Sequence, residues 1–300
     1  MRLTDFSAPG GRGTALAVLA GACLALPLGA PRAHAQGKWT PGVYMRQALD
    51  RVIQGSQALT EKTEYGLDDG SICFAGAYLR KGEQASTAIP LEGGRTYAMV
   101  GGGDEDSLDV DLYLQDEGGT TVVRDVDDDA TPAFSFTPKS SGRYRIFLKL
   151  EGSTDTASFC AFALLRKGGW SVPTSDLTTA ARNTLLLCEA ANNKTGGASF
   201  HAGPGEWGLL GTILKQGETL THRNIKMGPG NHAIVAAADD DAQDLDLAVV
   251  DGDNAVLGKD EDDDANPVVL FKGEGSIGFQ LKNQMSKNPT LAFAALLELK

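Results

Sequence analysis

The chain of 300 residues is 42% hydrophobic and 22% charged, the balance of a globular protein and not of a disordered one, and it is long enough for two ordinary domains. Its 39 acidic residues outnumber 27 basic ones, giving a formal charge of −12. Nucleic acid and anionic lipid both demand clustered Lys and Arg; the sequence offers no such cluster, so both are set aside as partners.

The first residues read as a secretory signal. Arg2 and Arg12 precede the apolar run Ala15–Leu26, which is short of the roughly 20 residues a membrane-spanning helix needs. Ala33-His34-Ala35 then supplies a small-x-small cleavage pattern, so residues 1–35 are expected to be removed, leaving Gln36 as the mature N-terminus. Lipidation at Cys23 is the alternative, but Ala20-Gly21-Ala22 is a poor lipobox. No transmembrane segment is expected in the mature chain, and its expected location is secreted or periplasmic.

Two units follow, residues 36–168 and residues 169–300, each opening with a Gly- and Trp-containing stretch, Gly37-Lys38-Trp39 and Gly168-Gly169-Trp170. A helical pattern comes next in both. Met45, Leu49, Val52, Ile53, Ser56 and Leu59 recur at spacings of three and four, as do Leu177, Ala181, Thr184, Leu185, Cys188 and Ala191, so each helix has one apolar stripe to lay on its own sandwich. Thr174, Ser175 or Asp176 is placed to cap the second helix, and Gly196-Gly197 to end it.

The period then shortens to two. Ile72–Leu79 and Trp207–Leu214 read as strands, followed by Tyr97–Val100 and His232–Val235. The next strand sets Val110, Leu112 and Leu114 on one face against Asp109, Asp111 and Tyr113, and its copy sets Leu245, Leu247 and Val249 against Asp244, Asp246 and Ala248. Turns at Asp116–Gly119 and Asp251–Asn254 lead to acidic loops that end in Pro132 and Pro267. Tyr144, Ile146 and Leu148 point inward on a late strand, with Ile277, Phe279 and Leu281 as counterparts. The last strands, Ser158–Arg166 and Thr290–Glu298, are nearly continuous apolar runs, as expected where both faces are covered. The fold class is therefore mainly β: two tandem antiparallel β-sandwiches of jelly-roll type, each preceded by one α-helix.

Three cysteines lie beyond the signal segment, Cys73, Cys160 and Cys188, and no CxxC occurs. If a disulfide forms, the expectation is Cys73 with Cys160, on the first and last strands of one unit, which typically meet in such sandwiches. Three reduced, buried thiols are the alternative.

Asp109-Val110-Asp111-Leu112-Tyr113-Leu114, the Gly turn, the loop Asp127-Asp128-Asp129 and Ser141-Gly142-Arg143-Tyr144-Arg145-Ile146-Phe147-Leu148 together resemble the bacterial pre-peptidase C-terminal domain. The second copy resembles it more weakly, with Gly275-Ser276-Ile277-Gly278-Phe279 in place of the Tyr-containing signature. The resemblance implies small β-sandwiches of exported proteins, some of which bind calcium or matrix polymers. Members of that family usually accompany a catalytic domain, whereas here two such units make up the sequence after the signal segment.

The chemistry sits in the acids. Asp104, Asp106, Asp109, Asp111, Asp127 and Asp129 recur 135 positions later as Asp239, Asp241, Asp244, Asp246, Asp262 and Asp264. Carboxylates gathered at neighbouring strand ends repel unless a cation joins them or some take up protons. Oxygen-only ligands favour a hard ion, and calcium takes 6–8 oxygens. These twelve residues are accordingly the candidate metal ligands, with Ca2+ as the candidate cofactor. Two plainer readings compete: solvated loops, or Asp side chains that hydrogen-bond turn amides. No HExxH or GxSxG occurs, and His201, His222 and His232 have no counterparts in the first copy. No catalytic residue is assigned, and a non-enzymatic binding or scaffolding protein is expected. Its expected partner is an extracellular or periplasmic protein or polymer. A hydrolase working through paired loop carboxylates and a structural cell-surface protein are the alternatives. Trp39, Trp170 and Trp207 read as core or interdomain anchors.

Overall fold

The computed structural model describes residues 40–203 and 205–300; the expected signal segment, its cleavage site, Cys23 and Trp39 lie outside them. Helix α1 (Thr40–Thr60) precedes strands β1 (Tyr65–Leu67), β2 (Ile72–Arg80), β3 (Gln84–Leu91), β4 (Tyr97–Gly103), β5 (Ser107–Gln115), β6 (Thr121–Asp125), β7 (Ala133–Phe136), β8 (Gly142–Ser153) and β9 (Ala157–Lys167). Helix α2 (Thr174–Thr195) then opens the second of the two expected repeats, followed by β10 (Ala198–Phe200), β11 (Leu209–Leu214), β12 (Thr219–Ala238), β13 (Ala242–Asp251), β14 (Val256–Asp260), β15 (Val268–Ser286) and β16 (Thr290–Leu299). Every strand pairing is antiparallel, and the protein is mainly β.

In the first repeat one layer has the order β7-β4-β9-β2 and the other the order β3-β8-β5-β6. The second repeat builds the same two layers from fewer, longer strands. The first part of β12 pairs with the later part of β15, as β3 pairs with β8, and the rest of β12 pairs with the start of β15, as β4 pairs with β7. The register slips between Met227 and Gly230, and Gly230 and Gly275 sit there at φ 154° and 98°. Those positive φ values let the strands turn the corner between layers without breaking. In the first repeat the segments between β3 and β4 and between β7 and β8 interrupt the ladder instead.

The two repeats do not stand as separate bodies, because β2 pairs with β11 and fuses their layers into one sheet. Ala75 faces Leu210, the same position of each copy, flanked by Phe74 against Gly211 and Gly76 against Leu209. A pseudo-two-fold axis thus passes through the Ala75–Leu210 pair. The approach is close here: a Cβ on Gly211 would lie 2.6 Å from the Phe293 ring and 2.9 Å from Phe74 Cβ.

Helices α1 and α2 lie side by side on the outer face of this sheet. Beneath them Met45, Leu49, Val52, Phe74, Phe159, Leu177, Cys188 and Phe293 form one buried layer. Between the sheets, residues of both repeats form a second, continuous core that includes Leu112, Leu148, Phe162, Trp207, Leu210, Leu247 and Phe279. Each such side chain contributes about 1.5–3 kcal/mol by leaving water. Trp207 ties the repeats directly: its indole N–H donates to Ser86 O at 3.1 Å, and its ring meets Phe162 edge-on at 5.5 Å.

Two local expectations are corrected. The residue capping α2 is Pro173, with no side-chain cap; Thr174 instead accepts a hydrogen bond from Gln57 of α1. Cys73 and Cys160 are not a disulfide, and both are buried thiols, like Cys188. Cys160 faces Ala77 across the ladder, four residues from Cys73, roughly 13 Å at strand rise. The two also face opposite ways, because of a bulge: Gly211 pairs with Phe74 and Thr212 with Ile72, so Cys73 is the extra residue. Its side chain turns under the helices, whereas Cys160 faces the space between the sheets.

Candidate functional site: the matched acidic turns

The β4–β5 turn and its counterpart between β12 and β13 carry the first matched pair, Asp104 and Asp239, both buried. Phe159 N–H donates to Asp104 Oδ2 at 2.7 Å, and Asp106 N–H donates to Oδ1 at 3.1 Å. Asp239 repeats this with Leu291 N–H at 2.8 Å and Asp241 N–H at 3.1 Å, plus the Thr290 hydroxyl. These carboxylates satisfy amides at a strand end and a turn, which an apolar residue would leave bare. Burial pushes both above the usual carboxylate range, opposed by the bonds they accept. Asp106 takes a bond from the Thr154 hydroxyl at 2.9 Å, and Asp241 takes one from the Asn288 amide at 3.1 Å.

The acidic loops are Asx turns of the same plan. Asp129 Oδ1 accepts from Thr131 N–H at 2.7 Å and Asp264 Oδ1 from Asn266 N–H at 2.8 Å. Two acids that the spacing argument passed over are as well matched: Ala133 N–H donates to Asp125 Oδ2 and Val268 N–H to Asp260 Oδ2, each at 2.9 Å. Their recurrence 135 positions apart was the available signal. Asp127 and Asp262 are exposed.

On the central strands, Asp111 faces Lys149 and Asp246 faces Lys282 across the ladder. The Tyr113 hydroxyl also donates to Asp111. Burial raises both acids, with the neighbouring lysine acting the other way.

Asp109 and Asp244 differ from all the others. In both, Oδ1 is buried and has no hydrogen-bond partner among the described residues. The Asp244 side chain belongs to a residue only 8% exposed. Burial raises each above the usual carboxylate range, followed by repulsion from Asp111, Asp128 and Asp129 in the first copy and from Asp246, Asp263 and Asp264 in the second. The loop is laid against the strand beside them, with Val110 N–H donating to Asp129 O and Leu245 N–H to Asp264 O, each at 2.8 Å. Of the twelve predicted ligands the geometry thus commits Asp104, Asp106, Asp129 and their copies, and Asp111 of the first copy, to side-chain hydrogen bonds. Among the described residues no three acidic, histidine or cysteine side chains converge as a metal site.

The histidines are spent on the fold. His201 Nδ1 lies 2.9 Å from Glu298 Oε1, His232 Nε2 lies 2.9 Å from Gly228 O, and the His222 ring packs on Phe279 at 5.9 Å. Two surface depressions, of about 580 and 450 Å3, contain none of the matched acids. The larger lies where the repeats meet, among Tyr44, Tyr78, Arg80, Glu83, Phe200 and Glu298.

No family model matches the chain, and no curated protein matches it. Among solved structures, the periplasmic lysozyme inhibitor PliG of Aeromonas hydrophila is 11% identical over 35% of this chain and 90% of its own, with a TM-score of 0.24. The PBSX exported protein XepA is 12% identical over 74% of this chain and 84% of its own, with a TM-score of 0.23. Tripeptidyl peptidase 2 is 10% identical over 73% of this chain and 22% of its own, with a TM-score of 0.24. Among the described residues no helix is long and apolar enough to cross a membrane.

Proposed function

We propose that the chain is an exported, non-catalytic binding protein, built from two repeats similar to pre-peptidase C-terminal domains, whose acidic loops are stiffened by calcium. Its partner is an extracellular or periplasmic protein or polymer. The observation that carries this reading is the repeated orphan: Asp109 Oδ1 and Asp244 Oδ1, at the same position of both copies, are buried without a partner. A buried carboxylate oxygen without a donor costs free energy at each site, and a hard cation is the ligand that relieves it while neutralising the acids alongside. Asp109 and Asp111, or Asp244 and Asp246, would hold the ion from the strand. Backbone carbonyls of the loop and water would supply the remaining oxygens, since few carboxylates stand close.

Calcium bound to the native state alone adds RT ln(1 + [Ca]/Kd), about 2.7 kcal/mol at a hundredfold excess over Kd. Millimolar calcium is therefore expected to raise the melting temperature of the chelator-treated protein. Asp109→Asn and Asp244→Asn each remove part of that rise. Equal melting with chelator and with calcium, together with no heat in titration calorimetry, would overturn the ion reading.

A further inference from the structure

Each helix and the short strand after it form an arm laid on its own half of the joined sheet, and the two arms are held by contacts of opposite polarity. In the first repeat the Asp68 amide donates to Leu164 O at 3.0 Å, and Asp68 Oδ1 lies 3.1 Å from Arg166 Nε. In the second the His201 amide donates to Leu296 O at 2.8 Å, and His201 Nδ1 lies 2.9 Å from Glu298 Oε1. The ladders coincide, since Gly66 faces Arg166 as Ser199 faces Glu298. Asp68 and His201 therefore occupy one station, and Arg166 and Glu298 the other. Acid and base have changed places.

Size differs as well. A Cβ on Gly55 of α1 would lie 2.5 Å from Val100 Cγ1, and one on Gly102 would lie 3.1 Å from Arg51 Cβ and Val52 Cγ2. The corresponding residues of the second repeat are Leu187 and Ala237. Even the clamp on the β4–β5 turn is changed: Arg51 donates to Gly103 O and Asp104 O at 2.9 Å, whereas Asn183 donates to Ala238 O at 2.9 Å.

An exchange of arms breaks each of these fits. Laid on the second repeat, the first arm sets Asp68 against Glu298 and its close-packed helix against Ala237. Laid on the first repeat, the second arm sets His201 against Arg166 and, spaced out by Leu187, leaves a gap over Gly102. We propose that the inverted pairs Asp68–Arg166 and His201–Glu298, with the size differences at Gly55/Leu187 and Gly102/Ala237, form a pairing code that assigns each helix–strand arm to its own repeat. The code suppresses exchange within one molecule and between two copies of the chain. A duplicated chain needs such a device, because similar neighbouring units misassemble and swap elements. Juxtaposed like charges are an effective barrier to wrong partners.

The test uses the full chain, unfolded in guanidinium and refolded by dilution over a range of protein concentrations, with mass read by light scattering. His201→Asp combined with Glu298→Arg gives both repeats one polarity. The dimer fraction is expected to rise roughly tenfold, the effect of about 1.4 kcal/mol on a partition, and to grow with concentration, while the monomer keeps its melting temperature. Glu298→Arg alone faces His201 in the correct arrangement and attracts Asp68 in the wrong one, so it is expected to yield more dimer still. Leu187→Ala with Ala237→Gly narrows the size difference at the first position, erases it at the second and leaves the charges, and it too is expected to yield dimer. Refolding of these variants to monomer at the wild-type yield overturns the proposal. So does a lowered melting temperature without dimer, which marks the pairs as ordinary fold contacts.

Discussion

His222 is a single position at which the two halves of the chain differ in what they bury. The first copy has Thr87 there, whereas the second places an imidazole against Phe279, and burial holds it down at about 4. A histidine held neutral in the fold but free to protonate near 6.5 when unfolded makes the unfolded state the better proton binder between those values. Its stability contribution is intact above about pH 6.5 and is lost as pH falls toward 4, at up to about 1.4 kcal/mol per pH unit. Melting curves between pH 7 and 4.5 should thus fall less steeply for His222→Thr than for wild type. Equal slopes would dismiss the imidazole as their cause. Among the acids, hydrogen bonds to nearby turn amides can be anticipated from the sequence, but bonds to distant amides cannot. Spacing marks Asp104 and Asp239 as matched, yet what they bond, the amides of Phe159 and Leu291, lies more than fifty residues away. No local pattern records that.

Among the elements, the alternating strands were legible because their cause is local: Val110, Leu112 and Leu114 are buried while Tyr113 between them is not. The joining of β2 to β11 was not. Both are almost wholly buried, so their apolar runs announce covered faces but carry no mark of what lies along an edge. The bulge at Cys73 was hidden for a related reason, since strict alternation assigns that residue to the wrong face. The tight place on the shared ladder is Gly211, where a side chain would meet Phe293 and Phe74. Gly211→Val should therefore lower stability by about 1–3 kcal/mol through overpacking, read as an earlier midpoint in denaturant unfolding. A neutral result would mean that the two aromatic rings shift aside freely.

For the whole molecule, one core runs through both repeats between the sheets, and one sheet crosses from the first to the second. Unfolding either repeat strips Ala75 or Leu210 and Trp207 of their packing in the other. Scanning calorimetry is expected to show a single transition whose calorimetric and van't Hoff enthalpies agree; two resolved peaks would mean that the repeats are energetically separate. A periodic pattern describes one unit at a time, so the sequence suggests a separate core for each unit, whereas the buried residues of both share one. The pseudo-two-fold axis at Ala75 and Leu210 has a further consequence, for dilution. Two unlinked units meeting edge to edge would part once their concentration fell below the dissociation constant. Here the short crossover from Lys167 to Thr174 makes that meeting intramolecular, at an effective concentration on the order of millimolar. The joined sheet therefore persists however thinly the protein is spread.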